Sequence, residues 1–411
     1  MMETNFDVII VGAGPAGTTC ALNLAPTGLK IALLDKAKFP RDKICGDALS
    51  GNVTFELNKL PTTTLKQFNS FKPKKGVQGI RFFAPNNQYI DVPFPNHKKY
   101  TELPGYVVRR YDFDNFLLEE LKKHPNVKIW EGFKPENLQV TDDEVQITNG
   151  QHSLKAQFIV GADGAHSFVA KALDRFEVDK KHYAAGIRVY YENVDGFHHQ
   201  GAVELHFQAD LAPGYFWIFP LTDNMANVGL AVSSDQGGQR QFNLKSKLDE
   251  IIRNHPNVAP RFKNAKALET VKGFGLPLGS KKRSLSGDRF LLVGDAASLI
   301  DPLTGEGIGN AMISGRLAAE HIMNGFKERN FSSVFNLRYD ELIYEKLGAE
   351  LQLSSKMKKL FKHPRLLNFI AKKAKKNVAL QEVLTGMFDD LNLKKKLGDP
   401  LFYWRLFISG K

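Results

Sequence analysis

The stretch FDVIIVGAGPAGTTCALNLAPTGLKIALLD, residues 6–35, constrains the fold more than any other part of the chain. Val8 to Val11 read as a short buried strand, followed at once by a glycine turn and a helix. Gly12, Gly14 and Gly17 occupy the glycine positions of a G-x-G-x-x-G fingerprint, with Pro15 and Ala16 between the last two. The first glycine permits the tight turn, the second lets a pyrophosphate approach the backbone, and the third lets helix and strand pack closely. A helix N-terminus aimed at the phosphates favours negative charge there. The second strand, KIALLD, ends at Asp35, a carboxylate placed to hold ribose hydroxyls, and Lys36 follows it. An isolated fingerprint is weak evidence. Here the strand before it, the helix after it and an acid at about 20 residues make a dinucleotide site on a Rossmann-like α/β layer.

At 411 residues the chain is long enough for two or three domains sharing a sizeable core. With 43% hydrophobic and 24% charged residues it reads as a globular protein, neither disordered nor fibrous. No apolar run approaches the roughly 18 residues of a spanning helix. The apolar start lacks the basic lead and small-residue cleavage site of a signal peptide. Two cysteines, Cys20 and Cys45, make neither a disulfide framework nor a tetrahedral metal site, so a reducing, cytoplasmic address is expected. Much of the net charge of +12 lies in residues 356–376, KMKKLFKHPRLLNFIAKKAKK, where lysines and arginines alternate with apolar residues and no acid intervenes. The pattern suits a basic amphipathic helix pair. It rests peripherally on an anionic membrane, attracts an anionic substrate, or is simply a solvated face. No nucleic-acid module accompanies the charge, so a nucleic-acid partner is not expected.

The fingerprint alone does not choose between FAD and a nicotinamide. Two later segments do. QFIVGADGAHSFVAKAL, residues 157–173, is another strand running into a glycine turn, with Asp163 and Gly164 at the bend. GDRFLLVGDAASLIDPLTGEGIGNAMISGRLAAEHI, residues 287–322, is a strand ending in Gly294 and Asp295, then a proline-glycine loop, then a long helix. In this order the three motifs resemble the FAD-dependent oxidoreductases of the para-hydroxybenzoate hydroxylase fold. The resemblance implies that Asp295 holds the ribityl chain and that Asp163 and Gly164 lie near the pyrophosphate. It also implies that Pro302, Gly305, Gly307, Ile308 and Gly309 lie at the flavin ring, where the backbone N–H groups of this loop and helix start, Pro302 having none, stabilise negative charge. VVRRYDFDNFLLEEL, aligned on Asp114, resembles the family's arginine-bearing helix start and implicates Arg110 in FAD binding. No second G-x-G-x-x-G occurs, so no separate NAD(P)H domain is expected. The electron donor, NAD(P)H or ferredoxin, stays open.

Two further segments resemble geranylgeranyl reductases: FPRDKICGDALS, residues 39–50, for their K-x-C-G, and GYFWIFP for their Y-x-W-x-F-P. Tyr215, Trp217, Phe219 and Pro220 match the second motif. This stretch is apolar on both faces, with Tyr215, Trp217 and Phe219 on one and Phe216 and Ile218 on the other. Taken alone it is either a strand covered by two layers of core or the wall of a binding cavity. The resemblance implies the cavity, beside the flavin, and an isoprenoid alkene as substrate. Such an alkene has no carbonyl to polarise it. Reduction then needs a proton on one carbon and a hydride on the other, in a dry cavity whose aromatic faces stabilise cation character. Cys45 is either a small buried hydrophobe or, as the resemblance implies, a catalytic thiol near the ring. Gly46, Asp47 and Arg41 join it as cofactor-contacting candidates, Lys43 is either that or a solvated charge, and Cys20 is packing. His198, His199 and His206 lack metal-ligand spacing, so no metal is expected.

The expected architecture is a discontinuous FAD-binding domain (1–75, 100–178 and 273–330), an antiparallel-sheet substrate domain (76–99 and 179–272) and a basic helical C-terminal region (331–411) ending in FYWRLF. The rival within flavin enzymes is a monooxygenase or halogenase acting on an apolar or aromatic metabolite. Halogenases carry W-x-W-x-I-P where this chain has YFWIFP. A non-catalytic lipid carrier is disfavoured, since a carrier needs no redox ring.

Overall fold

The computed structural model describes residues 4–61, 63–94, 104–199, 201–234, 243–375 and 377; the FYWRLF segment and the rest of 378–411 lie outside them. Among the described residues the chain forms two eight-stranded sheets and one of three strands. In the first sheet Asn5–Val11 lies between Ile31–Asp35 and Ser153–Gly161, with Val127–Glu131 and Phe290–Leu292 outside them, all parallel. Every residue of Ile31–Asp35 is buried, as a parallel strand covered on both faces requires. The helices Pro15–Leu24 and Ile308–Glu328 pack on one another. Gly315 allows this, since a Cβ there would collide with the Ala16 carbonyl, while Gly17 seats the first helix on the strand turn, where a Cβ would collide with the Gly12 carbonyl.

The second sheet is antiparallel but for one pair, and it is built from Tyr183–Glu192, Met225–Ser233, Tyr215–Pro220, Val203–His206, Gly79–Phe83 and Tyr89–Pro93. These strands fall within 76–99 and 179–272, where an antiparallel sheet is expected. The strand Lys272–Pro277 also pairs with Tyr183–Glu192. The expected return to the first layer at 273 therefore cuts a strand, and the crossing comes after Pro277.

Alternation in Tyr215–Pro220 resolves its double apolar face. Phe216 and Ile218 are fully buried in a core shared with Leu248 and Ile251, from the helix Leu244–Asn254, and with Phe262. Each such burial is worth roughly 1.5–3 kcal/mol. Trp217, Tyr215 and Phe219 face the other way, toward a core that includes Val77, Ile80 and Leu205. The C-terminal helices Ser333–Leu360 and Pro364–Ala374 close this side. Met357, Leu367 and Ala371 of these helices, and Phe361 between them, are buried. Leu360 and Phe369 stay exposed among the lysines. No helix among the described residues is long and apolar enough to cross a membrane.

Candidate functional site

One cavity of about 830 Å³ runs between the two sheets. Gly12, Gly14, Pro15, Ala16, Asp35, Lys36, Arg41, Arg110, Asp163, Gly164 and Asp295 line it at the fingerprint end. Gly12 has φ +106°, and any side chain there would strike the Ala162 carbonyl of the neighbouring strand turn. The Asp35 carboxylate is held at the cavity edge by the Ala13 N–H (2.9 Å) and the Ala37 N–H (2.8 Å). At Gly14, the space a Cβ would take is bordered by the guanidinium groups of Arg41 and Arg110, at 3.7 and 3.8 Å. Two cations beside a bare backbone turn suit a pyrophosphate, so the residues present fit FAD.

Those cations are fixed from behind by Asp114. Arg110 donates to it through Nε (2.6 Å) and Nη2 (2.7 Å), and Arg41 through Nη1 (2.6 Å). Asp114 is fully buried. Burial pushes its carboxyl up, but Arg110 and Arg41 outweigh that and hold it below the ordinary value. Asp163 lies at the cavity, where the resemblance implies it, and is held there by its own turn. Its carboxylate accepts the Ser167 hydroxyl and the N–H groups of Phe168 (2.6 Å) and Val169 (3.2 Å), so it shapes the turn and leaves the backbone of Gly164 facing the cavity. On the opposite wall Lys43 reaches Asp295 at 3.8 Å and lies over the Phe274 ring. The helix Ile308–Glu328 starts at this wall with Pro302, Gly305, Gly307 and Ile308 on the surface of the cavity. Four predicted residues do not line it: Gly17 and Gly294 pack against neighbouring backbone and side chains, Gly309 sits against Glu306 and Asn52, and Pro220 is buried at the strand end opposite Ala226.

The cysteine loop and the aromatic strand meet. A Cβ on Gly46 would lie 3.1 Å from Phe219 and 3.9 Å from Trp217, so the bare backbone rests on the aromatic wall. Cys45, half-buried, lines the cavity beside them. Asn227, directly opposite Phe219 on the next strand, ties loop to wall. Its Oδ1 accepts the Trp217 indole N–H (2.9 Å), and its Nδ2 donates to the Cys45 carbonyl (2.7 Å) and to Asp47 Oδ2 (2.8 Å). Trp217 reaches this position by crossing Gly229, where a side chain would collide with the indole.

Asp47, expected to contact cofactor, also lines the cavity, and its carboxylate is taken up by protein donors: Asn227, the Tyr190 hydroxyl (2.7 Å) and the Arg110 N–H (3.2 Å). Burial, opposed by those hydrogen bonds and by Arg188, pushes its carboxyl up to about 6. Arg188 stacks on the Tyr190 ring at 3.9 Å and is paired with Asp42 and Glu269. Asn227, Tyr190 and Arg188 were not singled out from sequence; the only signal was a polar residue within the apolar run MANVGLAV.

Beyond the flavin motifs the lining turns apolar, with Val77, Ile80, Phe94, Val203, Leu205 and Leu278. Tyr215 donates its hydroxyl to the Thr304 carbonyl, fixing strand to loop. Lys358 reaches the same cavity from the helix Ser333–Leu360. Among the described residues no group of three or more His, Cys, Asp or Glu is arranged to hold a metal.

Residues 5–323 match the FAD binding domain family. The chain is 30% identical over 353 residues to a digeranylgeranylglycerophospholipid reductase of Thermoplasma acidophilum, covering 84% of each. Its fold is that of a geranylgeranyl bacteriochlorophyll reductase-like protein from the same organism, with TM-score 0.79, 23% identity and coverage of 99% and 98%. A flavin-dependent brominase, Bmp2, shares the fold at TM-score 0.76 and 18% identity, over 98% of each chain. From its family match and this relative, the chain belongs to the FAD binding domain family and, within it, to the geranylgeranyl reductase-like FAD-dependent oxidoreductases.

Proposed function

We propose that the protein saturates carbon–carbon double bonds of a geranylgeranyl or polyprenyl chain. The observation that carries this reading is the single cavity that joins the dinucleotide turn to an apolar tunnel walled by Tyr215, Trp217 and Phe219. When bound and reduced, FAD supplies the hydride. The alkene gains that hydride on one carbon and a proton on the other, and an external donor of the NAD(P)H or ferredoxin class restores the two electrons. Gly12, Gly14, Asp35, Arg41, Arg110, Gly164 and Asp295 hold the cofactor in this reading. Cys45 delivers the proton. The aromatic wall excludes water and faces the carbon that carries positive character, at about 0.5–2 kcal/mol per ring.

Relatives named for a digeranylgeranylglycerophospholipid support a chain borne on an anionic lipid. Lys358, arriving at the cavity from the basic helix, supports the same polarity: headgroup toward Lys358, chain toward Trp217. The test is an anaerobic incubation of the reduced protein with geranylgeranyl diphosphate and with a geranylgeranyl phospholipid, followed by product mass. A gain of two hydrogens per event supports the reading, and Cys45→Ala and Trp217→Ala are expected to lower it. An oxygenated or halogenated product formed only in air would replace it with the monooxygenase alternative.

A further inference from the structure

We propose that Asp47 is a positioning residue, which through Asn227 locks the Cys45–Gly46 loop to the aromatic strand, and that the lock opens when its carboxylate takes up a proton. The catalytic part of this inference rests on the proposed prenyl reduction; the lock itself rests on geometry alone. Asn227 has one arrangement that satisfies its neighbours. Its oxygen must face the Trp217 N–H, which turns its NH₂ toward two acceptors, the Cys45 carbonyl and Asp47. A single amide thus sets the distance from the cysteine loop to the indole.

Asp47 in turn sets Asn227. Its ionised carboxylate faces donors only: Asn227 and Tyr190 at Oδ2, and the Arg110 N–H at Oδ1. Oδ2 already accepts two bonds, so a proton there displaces Asn227 or turns the Tyr190 hydroxyl about, and a proton on Oδ1 strips all three bonds of the charge that strengthens them. The backbone is held as tightly. Asp47 has φ +67°, a left-handed conformation that a non-glycine residue keeps only when its surroundings over-determine it, and its carbonyl accepts the Val108 N–H at 2.9 Å. The charged and titratable groups around it are Tyr190, Arg188, Arg109 and Arg110, with Asp42 beyond Arg188. The elevated ionisation of Asp47, about 6, brings the switch close to neutral pH.

The test needs neither flavin nor lipid. The chain has three tryptophans, so Trp130→Phe with Trp404→Phe leaves Trp217 as the reporter. In the apoprotein, Trp217 emission is expected to titrate with a midpoint near pH 6 and to be flat in Asp47→Asn. The buried Cys20 stays unreactive, so alkylation by iodoacetamide reads Cys45, and its rate in Asp47→Asn relative to the parent at the same pH is expected to be higher above the emission midpoint than below it. In the holoenzyme, Asp47→Asn and Asn227→Ala are expected to lower kcat on the order of tenfold to a hundredfold, with a smaller change in KM. Should Asp47→Asn fail to fold, Tyr190→Phe serves: losing one donor to the carboxylate moves the emission midpoint upward. An emission that is flat from pH 5 to 8 in the parent, or that titrates unchanged in Tyr190→Phe or Asp47→Asn, overturns the lock. Failure to reduce prenyl lipids would overturn the functional reading and leave the emission titration as it is.

Discussion

Replacing Asp47 by asparagine removes a buried charge and should make the protein relatively more stable as pH rises. The folded carboxyl ionises at about 6 against an ordinary 3.8. The folded protein therefore binds more protons than the unfolded one between those values, and its stability falls as pH rises through that window. The separation corresponds to about 3 kcal/mol, at roughly 1.4 kcal/mol per pH unit, and about 2 kcal/mol of it is expressed between pH 4.5 and 7.5. For 411 residues the unfolding entropy is about 0.9 kcal/mol per kelvin, so the expected effect is about 2 °C in Tm. The assay is Tm of the parent and of Asp47→Asn at both pH values. The quantity of interest is the change in the gap between them, from which every shared titrating group cancels. The variant is expected to gain about 2 °C on the parent from pH 4.5 to 7.5. A variant that gains nothing on the parent over this range, or loses ground, refutes the assignment of a buried charge whose desolvation outweighs its hydrogen bonds.

Other substitutions probe other joints of the site. Gly229→Ala places a methyl into the Trp217 indole and should expel it from Asn227, seen as a red shift in Trp217 emission together with lost turnover. Asp114→Ala leaves Arg110 buried without its partner and should cost about 3–5 kcal/mol in urea unfolding, with FAD released on desalting. Retention of FAD by that variant would argue against Arg41 and Arg110 as its anchors. Gly46→Ala brings a Cβ to 3.1 Å from Phe219 and should slow alkene reduction while FAD binding, measured by fluorescence quenching, stays near the parent value.

The Rossmann layer was legible because its signals are local: the glycine turn, the buried strands and Asp35 all fall within thirty residues of chain. The sidedness of Tyr215–Pro220 was legible for the same reason, since a period of two assigns faces without knowing the partner strand. What joins distant segments was not. The bonds from Asn227 to Cys45 and Asp47 span 182 and 180 residues, and from sequence Asn227 is only a polar interruption in a strand. Asp47 and Asp163 were singled out as cofactor contacts, and both line the cavity, but the partners of their carboxylates were not legible: Tyr190 and Asn227 for one, the start of the helix Phe168–Ala172 for the other. The strand Lys272–Pro277 was misjudged as a boundary because two of its six residues are glycine, which hides the alternation of Phe274 and Leu276.

The most direct test of the central claim is flavin reoxidation without oxygen. The purified protein is photoreduced anaerobically, a geranylgeranyl lipid is added, and the flavin spectrum is followed as products are weighed. Reoxidation in step with products heavier by two hydrogens per event is the expected result. Flavin that stays reduced until air enters, then yields an oxygenated or halogenated product, would contradict it.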